Sequence, residues 1–127
     1  MFLDTSIIIE IFRHDKQSKL FNQIYDHIQE EPLYISVLQI GELSDWCLHN
    51  NIDPEKRIAT LKPILNIVPL SEDLCIEGSK IKNALRTKGI QKFSLIDGII
   101  LASARSMNQP LLTRDTDFRK VKDATVI

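Results

Sequence analysis

Four acidic residues stand in apolar or small-residue surroundings, where charged side chains are uncommon. They are Asp4 in "FLDTS", Glu42 in "IGEL", Asp97 in "SLIDGII" and Asp115 in "LLTRDTDF". Carboxylates are rarely buried unless they are paired or bound to a metal. Two of them about 4 Å apart repel by about 4 kcal/mol at an effective dielectric constant of about 20. If these acids meet in one pocket, that pocket must take up protons or bind a cation.

The ligand type predicts the cation. Oxygen ligands select Mg²⁺ or Mn²⁺, and Mg²⁺ usually keeps several waters besides one or two direct carboxylates. The two cysteines, Cys47 and Cys75, have no metal-ligand spacing and are typical of a reducing compartment. The sequence therefore favours a hard divalent cation held by carboxylates.

Short apolar segments alternate with helical patterns along the chain. The predicted strands are "MFLD", "PLYIS", "NIVPL", "QPLLT" and "ATVI". Ser36, with Gln39 completing a capping box, begins one helix, and Ser71 and Ser94 cap two later helices. Asp53 caps another helix with Pro54 in its first position, and Gly89 is a C-terminal stop.

Strands separated by helices predict one α/β domain over residues 1–127, with a parallel sheet covered on both faces. The working crevice of such folds lies at the carboxyl ends of the strands. Asp4 ends the first strand, and Asp115 follows the "PLLT" strand. We therefore expect both carboxylates at this edge of the sheet.

Four segments together resemble a PIN domain, the nuclease fold of VapC-type toxins in type II toxin-antitoxin pairs. They are "FLDTSIII", "ISVLQIGEL", "FSLIDGIILASA" and "PLLTRDTDF", in the family's order over roughly the whole chain. The resemblance implies a three-layer α/β/α sandwich with a five-stranded parallel sheet in the order 3-2-1-4-5. It also implies that Mg²⁺, with Mn²⁺ as a possible substitute, assists cleavage of RNA to 3′-hydroxyl and 5′-phosphate ends by activating water.

The resemblance assigns roles residue by residue. The four acidic positions are Asp4, Glu42, Asp97 and Asp115, with Asp4, Asp97 and Asp115 expected to hold the metal and Glu42 to position water or a second ion. Hydroxyls at Thr5, Ser6 and Thr113 are expected to support the acids or metal-bound water, and Asp117 to support them from further out. The implied partners are RNA, a cognate antitoxin and a second copy of the chain.

Each acid also has a structural interpretation. Asp97 stands three residues after Ser94, which fits a capping box. Asp115 and Asp117 fit a turn, and Glu42 fits an exposed helix position. Trp46 is expected in the core or at a dimer contact.

A basic run without acids precedes Asp97. It comprises Lys80, Lys82, Arg86, Lys88 and Lys92. Such a run forms either a surface that follows RNA phosphates or a solvated helix face. The net charge of −1 argues against a protein covered in basic charge, so any nucleic-acid contact must be local.

The remaining expectations concern location and rival functions. No apolar stretch approaches the roughly 20 residues that span a bilayer, so a cytoplasmic protein without membrane contact is expected. One rival is a noncatalytic PIN-like binding module, which loss of an acid would have favoured. A second is a receiver-type phosphoacceptor domain, but that class has adjacent acids after its first strand and an acceptor Asp after its third.

Overall fold

A five-stranded parallel sheet forms the centre of the computed structural model, which describes residues 1–127. Its strands are β1 (Phe2–Leu3), β2 (Leu33–Ser36), β3 (Leu65–Val68), β4 (Leu111–Thr113) and β5 (Ala124–Val126). Their order is β3-β2-β1-β4-β5, and every neighbouring pair is parallel. The predicted fold class and strand order are confirmed. The carboxyl ends of β1 and β4 therefore lie side by side.

Helices connect the strands and cover the sheet. They are α1 (Thr5–Arg13), α2 (Lys19–Ile28), α3 (Val37–His49), α4 (Pro54–Ala59), α5 (Glu72–Thr87) and α6 (Leu95–Ser106). The predicted break after the first helix is present, because His14 adopts a left-handed conformation (φ 47°). A short 3₁₀ helix, Thr116–Phe118, was not predicted from the sequence.

The predicted helix boundaries carry the expected capping groups. The side chains of Ser36, Asp53, Ser71 and Ser94 each accept a hydrogen bond from a backbone N–H in the first turn of their helix. Gly89 follows α5 with φ 98°, a conformation that L residues rarely adopt. These local interactions determine where the loops at the sheet edge begin and end.

Two hydrophobic cores lie on opposite sides of the sheet. Adjacent strand residues point to opposite faces, so Leu3 packs with Ile7, Ile8 and Leu43 in one core, while Phe2 packs in the other. The second core takes Ile100 and Leu101 from α6 and also includes Phe93, Leu111 and Phe118. Trp46 is half-buried and stacks on Phe12 with ring centroids 5.8 Å apart, at the margin of the first core.

Helices α5 and α6 cross at a pair of glycines. A Cβ atom on Gly78 would lie 2.6 Å from the side chain of Ile99, and one on Gly98 would collide with the carbonyl oxygen of Gly78. The two backbones can approach this closely only because both positions lack a side chain. This crossing fixes the first turn of α6, where Asp97 directly precedes Gly98.

No helix in the structure is both long enough and apolar enough to cross a bilayer.

Candidate active site at the carboxyl edge of the sheet

Asp4 lies at the end of the central strand and directly before α1. Its backbone N–H donates to Leu112 O of β4 at 2.9 Å, which continues the sheet by one residue. Asp4 occupies the N-cap position of α1, yet its side chain makes no capping hydrogen bond. Instead, Oδ2 accepts hydrogen bonds from Thr113 Oγ1 at 2.6 Å and Ser6 Oγ at 2.9 Å. The carboxylate is therefore held toward β4, and Oδ1 has no hydroxyl donor.

The same two hydroxyls also bind the loop that follows β4. Thr113 Oγ1 accepts from the Asp115 N–H at 2.9 Å, and Ser6 Oγ accepts from the Arg114 N–H at 3.2 Å. Each hydroxyl thus links the Asp4 carboxylate to a backbone N–H of this loop. The predicted supporting role of Ser6 and Thr113 toward an acid has a direct geometric basis in these bonds.

Glu42 reaches the site from the second turn of α3. Its Oε1 accepts a hydrogen bond from Thr5 Oγ1 at 2.7 Å, and its side chain is half-buried. The alternative interpretation of Glu42 as an exposed helix residue is therefore wrong. Thr5 directly follows Asp4, so this bond joins α3 to the end of β1.

Gln39 is a positioning residue whose full role the sequence did not reveal. Its Oε1 accepts from the Ser36 N–H at 2.8 Å, as the predicted capping box requires. Its Nε2 also donates to Leu3 O at 2.7 Å, and the whole side chain is buried. Gln39 thereby joins the end of β2 to the residue before Asp4. The capping-box pattern was the only sequence signal for Gln39, and it carried no information about the contact with Leu3.

Asp97 projects from the first turn of α6 and completes a capping box. Its Oδ2 accepts from the Ser94 N–H at 3.2 Å, while its own N–H donates to Ser94 Oγ at 3.0 Å. The structural interpretation of Asp97 is confirmed. It does not exclude a second role, because one oxygen is engaged by the capping bond and the side chain remains half-buried.

Asp115 and Asp117 form the predicted turn after β4. Asp115 Oδ1 accepts from the Asp117 N–H at 2.9 Å and begins the 3₁₀ helix. Arg114, between Thr113 and Asp115, is bound to Glu10 of α1 at 2.6 Å. The loop that contains Asp115 is therefore held both by hydrogen bonds to its backbone N–H groups and by the ion pair of the Arg114 side chain.

The electrostatics of the site show that the acids affect one another. Burial raises the pKa of Asp4, only partly offset by the bonds from Thr113 and Ser6, and the charge of Asp115 raises it further. Burial likewise raises the pKa of Glu42, with added repulsion from Asp4 and Asp97. The pKa of Asp97 is raised first by burial and then by repulsion from Asp4 and Asp115. No basic side chain neutralises this cluster among the ion pairs of the structure.

The donor set fits a hydrated divalent cation. Carboxylate oxygens suit Mg²⁺ and Mn²⁺, and the burial and mutual repulsion that raise the pKa of Asp4 and of Asp97 are costs that a bound cation would offset. No three His, Cys, Asp or Glu side chains are arranged as a complete ligand set for one ion. Mg²⁺ in proteins usually keeps several waters and needs only one or two direct carboxylates. Direct coordination by all of Asp4, Asp97 and Asp115 stays a prediction.

The basic run is only partly gathered at this edge. Lys82 and Arg86 are one turn apart on α5, but Arg86 Nε donates to Phe93 O at 2.9 Å and so supports the loop before α6. Lys80 is exposed on another side of α5, and Lys88 is the exposed residue directly after the helix. Lys92 lies in the loop itself and lines a pocket with two cations outside the basic run, Arg119 and Lys120.

Comparison with known proteins decides the family. A family model for the PIN domain matches residues 1–124. The chain belongs to the PIN domain family. No curated protein sequence matches it at a significant level.

Solved structures share this PIN fold at low sequence identity. A toxin-antitoxin complex from Klebsiella pneumoniae superposes with a TM-score of 0.77 at 20% identity, covering 98% of this chain and 95% of the other. For VapBC2 from Rickettsia felis, bound to a promoter DNA fragment, the values are 0.71 and 18%, with 99% and 96% covered. FitAcB from Neisseria gonorrhoeae gives 0.72 and 24%, with 99% and 95% covered. At these identities, the likeness establishes the fold.

Proposed function

We propose that this PIN domain is a Mg²⁺-dependent endoribonuclease and the toxin of a toxin-antitoxin pair. The observation that carries the proposal is the set of four acids, Asp4, Glu42, Asp97 and Asp115, contributed by separate parts of the chain and electrostatically coupled at one sheet edge. PIN family membership supports a nuclease assignment. Clusters of carboxyl groups with raised pKa values in a cleft are typical of functional sites.

In the proposed reaction the four acids have different roles. Asp4 and Asp97 would hold the cation, Asp115 would take the next position, and Glu42 would orient water. Bound Mg²⁺ supplies stabilisation of the negative charge that develops on the phosphate, and it lowers the pKa of water. Ser6 and Thr113 keep the Asp4 carboxylate in one orientation through their bonds to Oδ2. Thr5 does the same for Glu42.

Purified protein incubated with mixed RNA tests the nuclease proposal. We expect cleavage with Mg²⁺ or Mn²⁺ and none with a chelator. Product ends should be 3′-hydroxyl and 5′-phosphate, so ligation without prior phosphorylation should succeed. Cleavage that persists both in chelator and in Asp97→Asn would contradict the metal-carboxylate mechanism.

The toxin assignment rests on the resemblance and on the kind of structures that share this fold, which are toxin-antitoxin complexes. Induced expression in a bacterial host should stop growth, and Asp97→Asn at equal protein level should not. A cognate antitoxin that covers the acidic site should restore growth beside the wild type. Equal toxicity of the variant would show that growth arrest does not depend on the site.

Self-association is proposed on the same resemblance. Light scattering on purified protein should give the mass of two chains, and a monomer at all concentrations would reject this part of the proposal.

Of the two rival functions, one is excluded and one remains to be tested. The receiver-type interpretation is incompatible with PIN family membership, and β3 ends at Val68 before Pro69 rather than before an acceptor Asp. A noncatalytic PIN-like module predicts RNA or protein binding without cleavage under any divalent cation. Incubation with mixed RNA and a divalent cation therefore distinguishes the nuclease from the noncatalytic module.

A further inference from the structure

A polar pocket of about 280 Å³ opens beside the acidic site, between the loop before α6 and the 3₁₀ helix after β4. The loop contributes Gly89, Gln91 and Lys92, and the other wall contributes Asp117, Arg119 and Lys120. We call this feature the basic pocket. Only one of its eight lining residues is hydrophobic, so it does not suit an apolar ligand.

The basic pocket adjoins the acidic site through Asp117. The backbone N–H of Asp117 donates to the Asp115 carboxylate at 2.9 Å. On the other side, Lys92 is two residues before Ser94, the N-cap residue that holds Asp97. One wall of the pocket is thus continuous with the turn that contains Asp115, and the other leads into the first turn of α6, which contains Asp97.

The walls of the basic pocket are fixed by packing. Phe93 and Phe118 are fully buried and meet edge to face with centroids 5.1 Å apart, which joins the two walls from beneath. Arg86 Nε holds the Phe93 carbonyl at 2.9 Å, and the Ile90 N–H donates to Leu85 O at 3.1 Å. These contacts hold the two walls of the pocket against each other.

The cations of the basic pocket have no ion-pair partners. The salt bridges of the structure join Arg13 and Arg114 to Glu10, and Arg105 to Asp123. Lys92, Arg119 and Lys120 take part in none of them. Three cations face one acid, Asp117, so the pocket presents a net positive charge next to a strongly negative site. This arrangement favours an anionic group.

We propose that the basic pocket binds a backbone phosphate of the RNA strand, next to the phosphate that is cut. This inference rests on the proposed nuclease function. A nucleic acid strand carries phosphates at regular intervals, so a strand whose scissile phosphate lies at the acidic site must place a neighbouring phosphate nearby. Lys92, Arg119 and Lys120 bind this neighbour by charge and release its counterions. They fix the register of the strand without reading its bases.

The salt dependence of binding tests the inference. Fluorescein-labelled single-stranded RNA is titrated with protein in chelator, which prevents cleavage, at salt concentrations from about 50 to 200 mM. The test variant is Lys92→Gln/Lys120→Gln. Lys19→Gln/Lys56→Gln is the matched control, since it removes the same charge from exposed positions on α2 and α4.

Each lost phosphate contact lowers the slope of log affinity against log salt by about 0.7 for a single strand, so loss of the one phosphate held in the pocket should lower the slope of the pocket variant by up to about 0.7. The control should lose much less. In cleavage assays with Mg²⁺, the pocket variant should raise KM with kcat nearly unchanged, because these lysines do not touch the reacting atoms. Asp117→Asn, which removes the one opposing charge, should tighten binding in chelator.

The outcomes separate this inference from the function on which it rests. Cleavage by the wild type, together with equal slopes for the pocket and control variants, would overturn the pocket and leave the nuclease proposal standing. A wild type that binds RNA without cutting it, with a reduced slope in the pocket variant, would overturn the nuclease proposal and support the pocket. A change in kcat alone would also overturn the proposed role of these lysines.

Discussion

Two capping boxes in this molecule share a sequence pattern and differ in what their third helical residue does. At the start of α3, Ser36 and Gln39 exchange hydrogen bonds, and at the start of α6, Ser94 and Asp97 do the same. Gln39 is neutral and fully buried, and its amide also binds the Leu3 carbonyl. Asp97 is charged and half-buried, and its pKa is raised by burial and by two other acids. The same local motif therefore supports the strand in one place and the proposed chemistry in the other.

The comparison shows which properties are local. A capping box satisfies two backbone N–H groups and needs only residues three apart in sequence. The additional role of each third residue depends on what the fold brings to it. For Gln39 that is the end of the central strand, and for Asp97 it is the Asp4 carboxylate. Substitutions at these two positions should accordingly separate stability from activity.

The largest expected effect is on the cleavage rate of Asp97→Asn. The asparagine side-chain oxygen can still accept from the Ser94 N–H, so the capping box survives while the negative charge is lost. We expect kcat to fall about 100- to 1,000-fold, the range for removing one electrostatic group from an active site. The unfolding midpoint in urea should fall by little or should rise. Normal cleavage with a preserved fold would assign Asp97 to capping alone.

The opposite pattern is expected for Gln39→Met. Methionine has a similar length but no polar atoms, so the buried Leu3 carbonyl and the Ser36 N–H lose their partner. Each unsatisfied buried group costs about 1–3 kcal/mol, and we expect the free energy of unfolding to fall by about 2 kcal/mol or more. Urea titration measures this loss, and Ser71→Ala, which removes an ordinary N-cap from α5, serves as the comparison. A stability loss no larger than that of an ordinary helix cap would remove the proposed link to β1.

A smaller effect on stability is expected to distinguish α6 from α3, the two helices that begin with a capping box. Gly98→Ala places a Cβ against the Gly78 carbonyl, and overpacking of this kind costs about 1–3 kcal/mol. Gly41→Ala on α3 is the matched control, because the new methyl group would meet nothing within 4 Å. The control should gain about 0.4–1 kcal/mol through a less flexible unfolded chain. Equal shifts in urea midpoint would mean that the α5–α6 crossing does not constrain Asp97.

Much of the fold followed from local patterns, whereas the links within the site did not. Serine and aspartate caps, the glycine stop after α5 and the short apolar strands are encoded by neighbouring residues. The strand order and the roles of the acids came from resemblance to a family rather than from periodicity. The bond between Thr5 and Glu42 joins residues 37 positions apart, and that between Gln39 and Leu3 joins residues 36 apart. No pattern within one element can reveal such contacts.

The basic pocket is likewise not encoded within one element. Lys92 belongs to a run of cations that is visible in the sequence. Arg119 and Lys120 lie in a different segment, which reaches the same place only through the packing of Phe93 on Phe118. Arg86 has a structural contact that the linear charge pattern does not indicate, because its Nε donates to the Phe93 carbonyl.

The smallest expected effect is the pH dependence of stability without metal. The raised pKa values of Asp4, Glu42 and Asp97 mean that the folded chain holds protons which the unfolded chain has released. Stability is therefore favoured at low pH and declines as pH rises from about 4 through the raised pKa values. Urea unfolding in chelator across this range should show the decline, and Asp97→Asn should reduce it. Stability that instead rises throughout would mean that these carboxyl groups are stabilised as anions.

Binding of Mn²⁺ tests the central claim most directly, because the claim is that the acidic edge holds a divalent cation. Electron paramagnetic resonance detects free Mn²⁺, so a titration of the protein gives both affinity and stoichiometry. The account predicts saturable binding by the wild type, competition by Mg²⁺, and loss of binding in Asp4→Asn/Asp97→Asn with the fold intact. Undiminished binding by this double variant, or no binding by the wild type, would contradict it.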